Sequence, residues 1–247
     1  MRGLGTLVNV AAIIIGSGIG IVFKSRLSER FRAIMVQACG LAVMFIGAAG
    51  VFEKILTVSD GEIVSGSTIL IVVSLVLGGL CGELIGIEKG LDTMGERLKG
   101  LVKAKGDNRF VEGFVTASLV VCVGAMAICG PLEEGLTGSS ETLFVKSVLD
   151  FIIVMVFASV YGIGVAFSAL SVGAVQGLMT GFAVFIAPFM SDRLIANISC
   201  VGSVLIFAVG ANFIISKKIK VGNLLPSILI PVFYEGILIL IELWTKR

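Results

Sequence analysis

The sequence predicts an all-α, polytopic transmembrane helical bundle that forms one domain over residues 1–247. Hydrophobic residues make up 57% of the chain and charged residues only 15%, whereas soluble domains contain roughly 45–50% apolar residues. Mean hydropathy is +1.09. Apolar runs of about 20 residues, each long enough to cross a bilayer as a helix, recur along the whole chain. These observations leave little sequence for a soluble domain.

Hydropathy predicts seven or eight spans. Their approximate bounds are 4–23, 33–52, 67–87, 111–130, 146–166, 169–190, 194–215 and 223–244. The segment 169–190 is the most polar of these, so it either crosses the membrane fully or is re-entrant. Between the third and fourth spans, residues 88–109 alternate apolar and charged side chains at helical spacing. This pattern predicts an amphipathic linker helix at the membrane surface.

Lysine and arginine are concentrated after the first, third and seventh spans, at 24–32, 89–109 and 217–220. Cytoplasmic loops of membrane proteins carry an excess of these residues. All three segments fall on one side of an eight-span arrangement. The linker helix is therefore predicted to be cytoplasmic, and the N-terminus and the acidic loop that follows the fourth span are predicted to be external.

Charge and composition exclude several functions. The formal net charge of +2 gives no basic surface for nucleic acid. The chain contains no histidine, so neither an HExxH metal site nor a Ser-His-Asp triad can form. Five cysteines lie in apolar runs without CxxC spacing, which is typical of packing residues. We therefore expect no enzyme activity, no cofactor and no metal site.

An internal repeat relates the two ends of the chain. Gly3–Gly50 can be laid over Ala166–Gly210 almost without gaps, which pairs spans 1–3 with spans 6–8. Because two spans intervene, the copies would have inverted topology. Inverted-repeat transporters place their substrate near the membrane midplane, where broken helices free backbone groups. The predicted breaks are Gly130-Pro131 and the segment Gly173–Gly181.

Ionisable residues inside spans are costly and indicate functional sites. Asp150 is the strongest candidate, because an apolar run follows it and Lys146 precedes it by four residues, on the same helix face. The alternative is an ion pair that only anchors the helix. Glu133 and Glu134 follow the predicted Gly-Pro break, where they either attract cations to a vestibule or are solvated loop residues.

Further polar residues complete the predicted binding set. Glu235 lies near the middle of the last predicted span and needs a partner inside the bundle. The candidate neutral ligands are Asn9, Ser118, Ser159, Ser168 and Gln176. The alternative for each neutral residue is a hydrogen bond that joins two helices.

These segments also resemble a known family. The residues that carry the likeness are Asn9, Gly16-Ser17, Thr116-Ala117-Ser118, Cys122-Val123-Gly124-Ala125-Met126-Ala127-Ile128, Glu134-Gly135-Leu136-Thr137-Gly138, Lys146-Ser147-Val148-Leu149-Asp150, Phe157-Ala158-Ser159, Gly162-Ile163-Gly164-Val165, Phe167-Ser168-Ala169-Leu170 and Lys220-Val221-Gly222-Asn223-Leu224-Leu225-Pro226. They are similar to the YdfK/YqgA-type bacterial inner-membrane proteins, a family of unknown function. The resemblance covers essentially the whole chain. It implies a multi-pass protein of the bacterial plasma membrane and supplies no substrate.

The residues favour a secondary transporter of a small cation or a small charged metabolite, coupled through intramembrane carboxylates. An ion channel would use the same polar residues. A third hypothesis, from a different class, is a membrane scaffold or sensory subunit in which the charges only pair helices. The expected partners are the lipid bilayer and a small ion or metabolite, without nucleic acid, and a homo-oligomer is left open.

Overall fold

The structure is a computed structural model that describes residues 2–24, 28–59, 62–65, 68–101, 109–122, 125–215 and 219–245. The helices are α1 (Leu4–Lys24), α2 (Glu29–Ile55), α3 (Thr68–Ile85), α4 (Ile87–Leu101), α5 (Phe110–Cys122), α6 (Ala125–Thr137), α7 (Glu141–Tyr161), α8 (Ser168–Gly181), α9 (Ala183–Ile186), α10 (Asp192–Asn212), α11 (Val221–Leu224) and α12 (Ile230–Thr245). Short 3-10 turns cover Ile163–Phe167, Ala187–Phe189 and Leu225–Leu229. A small antiparallel hairpin of β1 (Leu56–Ser59) and β2 (Glu62–Ser65) joins α2 to α3.

The helical membrane bundle predicted from hydropathy is confirmed. In the described ranges, 6 helical segments are long and apolar enough to cross a membrane, and the number is 7 if the bent pair α5 and α6 counts as one span. The segment predicted as an eighth span consists of α11, the 3-10 turn Leu225–Leu229 and α12, which together cover Val221–Thr245. The linker forms α4 over Ile87–Leu101, and residues 102–108 lie outside the described part of the chain.

Both predicted helix breaks are wrong in position. Pro131 lies inside α6, where proline removes only one backbone hydrogen bond and is tolerated. The bend instead lies between α5 and α6, which meet at 60°. The segment Gly173–Gly181 belongs to the uninterrupted helix α8. This helix and the preceding 3-10 turn form one candidate span, Ile163–Gly181, which begins before the predicted 169–190.

Glycine lets two helix pairs pack backbone against backbone. A Cβ atom added to Gly16 of α1 would lie 2.6 Å from the carbonyl oxygen of Phe151 in α7, and one added to Gly20 would lie still closer to the carbonyl oxygen of Met155. In the second pair, a Cβ on Gly47 of α2 would lie 2.5 Å from the backbone nitrogen of Phe207 in α10. Such close contacts through small residues stabilise helix association in membranes.

The helices fall into two groups around these pairs. Group 1 contains α1 and α5–α9, and group 2 contains α2, α3 and α10–α12; most packing lies within each group. The two groups meet where α2 and α10 contact α5, α6 and α7. The linker helix α4 contacts both groups. A turn at Gly86, whose φ of 74° favours glycine, leads from α3 into α4.

Candidate functional site

A buried ion pair lies where three helices of group 1 converge. The Nζ atom of Lys146 lies 2.5 Å from Oδ2 of Asp150 on the same face of α7. Asn9 of α1 donates a hydrogen bond of 2.9 Å from Nδ2 to the same carboxylate oxygen. Lys146 donates a second bond of 2.8 Å to the carbonyl oxygen of Val121 in α5. Lys146 and Asp150 are only 5% and 4% exposed.

The break after α5 explains the bond from Lys146 to Val121. The last carbonyls of a helix lack intrahelical donors, and Val121 is the penultimate residue of α5. A cation is also favourable at this end of a helix dipole. The chain therefore turns a backbone carbonyl toward the ion pair, as discontinuous helices do in transporters.

The ion pair lines a cavity of about 430 Å³ between the two groups. Its lining combines Lys146 and Asp150 from α7 with Ser199 and Ser203 from α10, and the remaining walls are mostly apolar. Glu53 and Lys54, at the end of α2, also line it and form an ion pair of 2.7 Å. The Oγ atom of Ser199 is buried without a hydrogen-bond partner in the described ranges.

A second cavity of about 380 Å³ lies at the other end of the same interface. Its polar lining residues are Glu88, Asp92, Glu112, Thr116, Tyr161 and Asn212. Along α10, the first cavity reaches Ile206 and the second begins at Val209, three residues or about 4.5 Å further along the helix. In α5, Leu119 lines the second cavity and the adjacent residue Val120 lines the first. A thin apolar layer therefore separates the two cavities.

The predicted position of Glu134 in an external loop is wrong. Glu134 lies within α6 and is fully buried. Its Oε1 atom accepts hydrogen bonds from the backbone nitrogen of Gly5 at 2.5 Å and from Oγ of Ser140 at 2.7 Å. A carboxylate at the start of α1 satisfies a free backbone donor and complements the helix dipole. Glu133 also lies in α6, and its Oε2 atom accepts a bond of 2.6 Å from Thr142.

None of the predicted neutral ligands lines the cavity beside the ion pair, and Asn9 instead contacts the pair itself. Ser118 of α5 shares a hydrogen bond of 2.9 Å with Ser171 of α8. Ser159 donates to the carbonyl oxygen of Val156 at 2.6 Å, within its own helix. Ser168 and Gln176 are buried on α8, and their side-chain polar atoms have no partner among the described residues.

Glu235 has the bundle partner that the sequence required. Its carboxylate is 5% exposed and lies 2.7 Å from the Nη2 atom of Arg193. Because Arg193 belongs to the first turn of α10, Glu235 lies level with the end of that span. The pair joins α10 to α12, away from the Lys146–Asp150 pair.

A polar cluster ties the ends of α3 and α4 to α11. Lys220 donates to Glu83 at 2.8 Å, and Asn223 donates to the same carboxylate at 2.6 Å. The backbone nitrogen of Gly222 donates to Glu88 at 2.6 Å. The Oδ1 atom of Asn223 accepts from the backbone nitrogen of Glu88 at 2.7 Å. These bonds position the linker helix beside the second cavity.

The Glu88 carboxyl is expected to make stability fall as the pH rises. Burial raises its pKa above the ordinary value of 4.5; Asp92 adds to this shift, while the Gly222 hydrogen bond and Lys220 oppose it. When folding raises a pKa, the stabilisation is complete at a pH below the unfolded-state pKa. It is lost as the pH rises through the folded-state pKa. Glu88→Gln should flatten the dependence of Tm on pH above 4.5. An unchanged slope would contradict this, and the exposed Glu96→Gln provides the control.

Three polar groups at the ion pair and its cavity were not predicted from the sequence: the hydroxyls of Ser199 and Ser203 and the carbonyl of Val121. Ser199 and Ser203 are spaced by four residues on one face of an otherwise apolar helix, which is a signal that could have been used. The Val121 carbonyl has no side-chain signal. In the described ranges, no group of three or more cysteine, aspartate or glutamate side chains could hold a metal ion.

The helices and their apolar spans define a polytopic integral membrane protein. The chain belongs to the family described as "Protein of unknown function (DUF554)", whose family model matches residues 4–235. The uncharacterized membrane protein YdfK of Bacillus subtilis (strain 168) is 35% identical over 92% of this chain and 93% of its own. The uncharacterized protein YqgA of Escherichia coli (strain K12) is 29% identical over 92% of this chain and 94% of its own. The comparison with solved structures found no match.

The resemblance to the YdfK/YqgA-type family is thereby confirmed. The Bacillus subtilis relative is described as a membrane protein, which agrees with the class predicted from hydropathy.

Proposed function

We propose that the protein is a secondary transporter of a small cation or a small charged metabolite. One observation carries the proposal: a buried Lys146–Asp150 pair, beside a helix break, lines a cavity between two helix groups. Lys146 neutralises Asp150 while the site is empty, and a charged group of the bound solute interacts with this pair. No catalytic step and no cofactor form part of the proposal.

The two cavities favour a carrier over a channel. They lie on the same interface at opposite ends, separated by the apolar layer at Ile206 and Val209. A channel needs a continuous pathway, whereas a carrier alternates access from either side by moving one rigid unit against another. Close glycine packing makes each group suited to moving as such a unit.

The arrangement of helices supports the inverted repeat. The repeat aligns Phe45 of α2 with Phe207 of α10. These two helices run antiparallel, since Gly40 meets Phe213 and Gly50 meets Ser203. Their contact is thus centred near the aligned phenylalanines. A two-fold axis in the membrane plane would pass through such a crossing.

Charge sets the proposed orientation. The linker α4 and the segment that carries Lys220 are rich in basic residues, which places them in the cytoplasm. The cavity beside Glu88 then opens inward, and the cavity bounded by Glu53 and Lys54 opens outward. With the N-terminus external, the protein is assigned to the bacterial plasma membrane, where the lipid bilayer and a small solute are its partners.

Uptake into liposomes tests the proposal. Purified protein is reconstituted and incubated with a defined mixture of inorganic cations, α-amino acids, polyamines and carboxylates, and the contents are analysed by mass spectrometry. The wild type is expected to accumulate at least one component above protein-free liposomes. Asp150→Asn should lower that uptake by about tenfold or more, because the coupling charge is lost.

The control is Glu96→Gln, which alters an exposed carboxylate outside both cavities. It should transport as the wild type does. Wild-type liposomes that match protein-free ones would contradict the transport proposal. Unchanged uptake by folded Asp150→Asn would contradict the role of Asp150.

A further inference from the structure

We infer that the cavity beside Lys146 and Asp150 binds a zwitterion, a small metabolite that carries both an ammonium and a carboxylate group, as an α-amino acid does. The inference rests on the proposed function and names the substrate class of the same site. It depends on the unused hydrogen-bonding capacity of the ion pair, on its net charge, and on the composition of the cavity wall.

Both members of the ion pair have capacity left for a ligand. Lys146 and Asn9 both donate to Oδ2 of Asp150, so Oδ1 has no donor among the described residues. Lys146 has three N–H donors and uses two of them, toward Asp150 and the Val121 carbonyl. Oδ1 of Asp150 can therefore accept a hydrogen bond from a ligand, and one N–H of Lys146 can donate one. The two oppositely charged groups lie side by side on α7.

Net charge distinguishes a zwitterion from a bare cation. The charges of Lys146 and Asp150 cancel, so a bare cation that enters this cavity must displace Lys146 or leave an uncompensated positive charge away from water. A zwitterion meets an opposite charge at both ends. Its ammonium pairs with the free Asp150 oxygen and its carboxylate with the free Lys146 proton, while the site stays neutral.

The cavity wall suits a ligand with an apolar body. Its volume of about 430 Å³ lies within the range of about 300–1,000 Å³ for small-molecule sites. Val43, Ile46, Leu149 and Ile153 supply apolar surface on both sides of the interface. Ser199 adds a buried hydroxyl that is 3% exposed and has no partner among the described residues. An amino acid with an aliphatic side chain matches this combination.

Thermal unfolding of the purified full-length protein tests the assignment. The probes are glycine, L-alanine, L-valine and L-leucine, each added alone, and sodium chloride serves as the ionic control. At least one amino acid is expected to raise Tm, because a ligand that binds only the folded state stabilises it. The amide and the N-acetyl derivative of the best probe each keep a single charge, and each should bind about tenfold or more weakly.

Variants locate the effect. Ser199→Ala should weaken amino-acid binding by several-fold. Lys146→Met combined with Asp150→Leu should abolish it, and this double variant avoids leaving one charge buried alone. The matched control replaces the Glu96–Lys99 pair of α4, which lines neither cavity, by Gln and Met and should bind as the wild type does. Loss of binding in this control, or full binding by the double variant, would overturn the assignment.

The remaining outcomes separate the zwitterion from the transport proposal. If the amide binds as tightly as the amino acid, or if sodium chloride raises Tm by a comparable amount, the site does not select a zwitterion. The proposal of a cation transporter would then remain. Failure of every amino acid to bind, together with uptake of another solute by reconstituted protein, would also overturn the zwitterion alone. Absence of uptake for every component of the defined mixture, together with failure of every amino acid to bind, would overturn both.

Discussion

Replacing Asp150 by leucine is expected to destabilise the protein by about 3 kcal/mol or more, because it leaves the Lys146 ammonium buried without its counter-charge. Lys146→Met alone should have a comparable cost, since it leaves the Asp150 carboxylate unpaired. The double variant should lose much less free energy of unfolding than the sum of the losses in the two single variants. Equilibrium unfolding of the four proteins in detergent gives the interaction free energy directly.

The exposed pair Lys220 and Glu83 provides the matched control for this cycle. Their side chains are 61% and 59% exposed, so solvent screens the pair and its interaction free energy should be much smaller than that of Lys146 and Asp150. Additive effects of the Lys146 and Asp150 substitutions would contradict a buried, coupled pair. A stable double variant that still transports its solute would favour a purely structural role for both charges, as the scaffold hypothesis requires.

Replacing Glu134 by leucine is expected to lower stability by about 2–3 kcal/mol, because the donors that its carboxylate satisfies become buried and unpaired. The loss should come from the start of α1, where Gly5 donates to Oε1, and from Ser140 at the start of α7. Glu134→Gln should cost less, since its amide oxygen can still accept. Equilibrium unfolding together with hydrogen exchange of the first turn of α1 measures both effects.

The neighbouring Glu133 is the control for Glu134. Glu133 is only partly buried, and among the described residues its carboxylate accepts a hydrogen bond from Thr142 alone, so Glu133→Leu should cost less than Glu134→Leu. Unchanged stability in Glu134→Leu would contradict the capping role. If solute binding then disappeared, the cation-binding role predicted from the sequence would be favoured instead.

The Lys146–Asp150 pair could be predicted from the sequence because a spacing of four residues places two side chains on one helix face in any α-helix. The spans could be predicted for a similar reason, since a helix must bury about 20 apolar residues to cross the bilayer. Asn9 was identified as polar within a span. Its contact with Asp150 joins residues far apart in the chain, and no spacing rule predicts it.

Prediction failed at Glu134 and at the helix break for the same physical reason. Proline and adjacent charges indicate a loop when only local preferences act. Here α6 continues through Pro131, and Gly5 and Ser140 compensate the Glu134 charge. The cost of a buried carboxylate depends on such partners. Tertiary contacts therefore determine whether the same residues form a loop or a buried helix.

By itself, the sequence determined the membrane class, most spans, the family and the opposed charges on one face of α7, because local composition and helical periodicity are sufficient for these. Only the tertiary structure decided that Lys146 and Asp150 line a cavity between two helix groups together with Ser199, and that Asn9 and the Val121 carbonyl hydrogen-bond to the pair. That arrangement depends on which glycine faces meet. Close backbone contact requires two complementary surfaces from distant parts of the chain, which no single segment encodes.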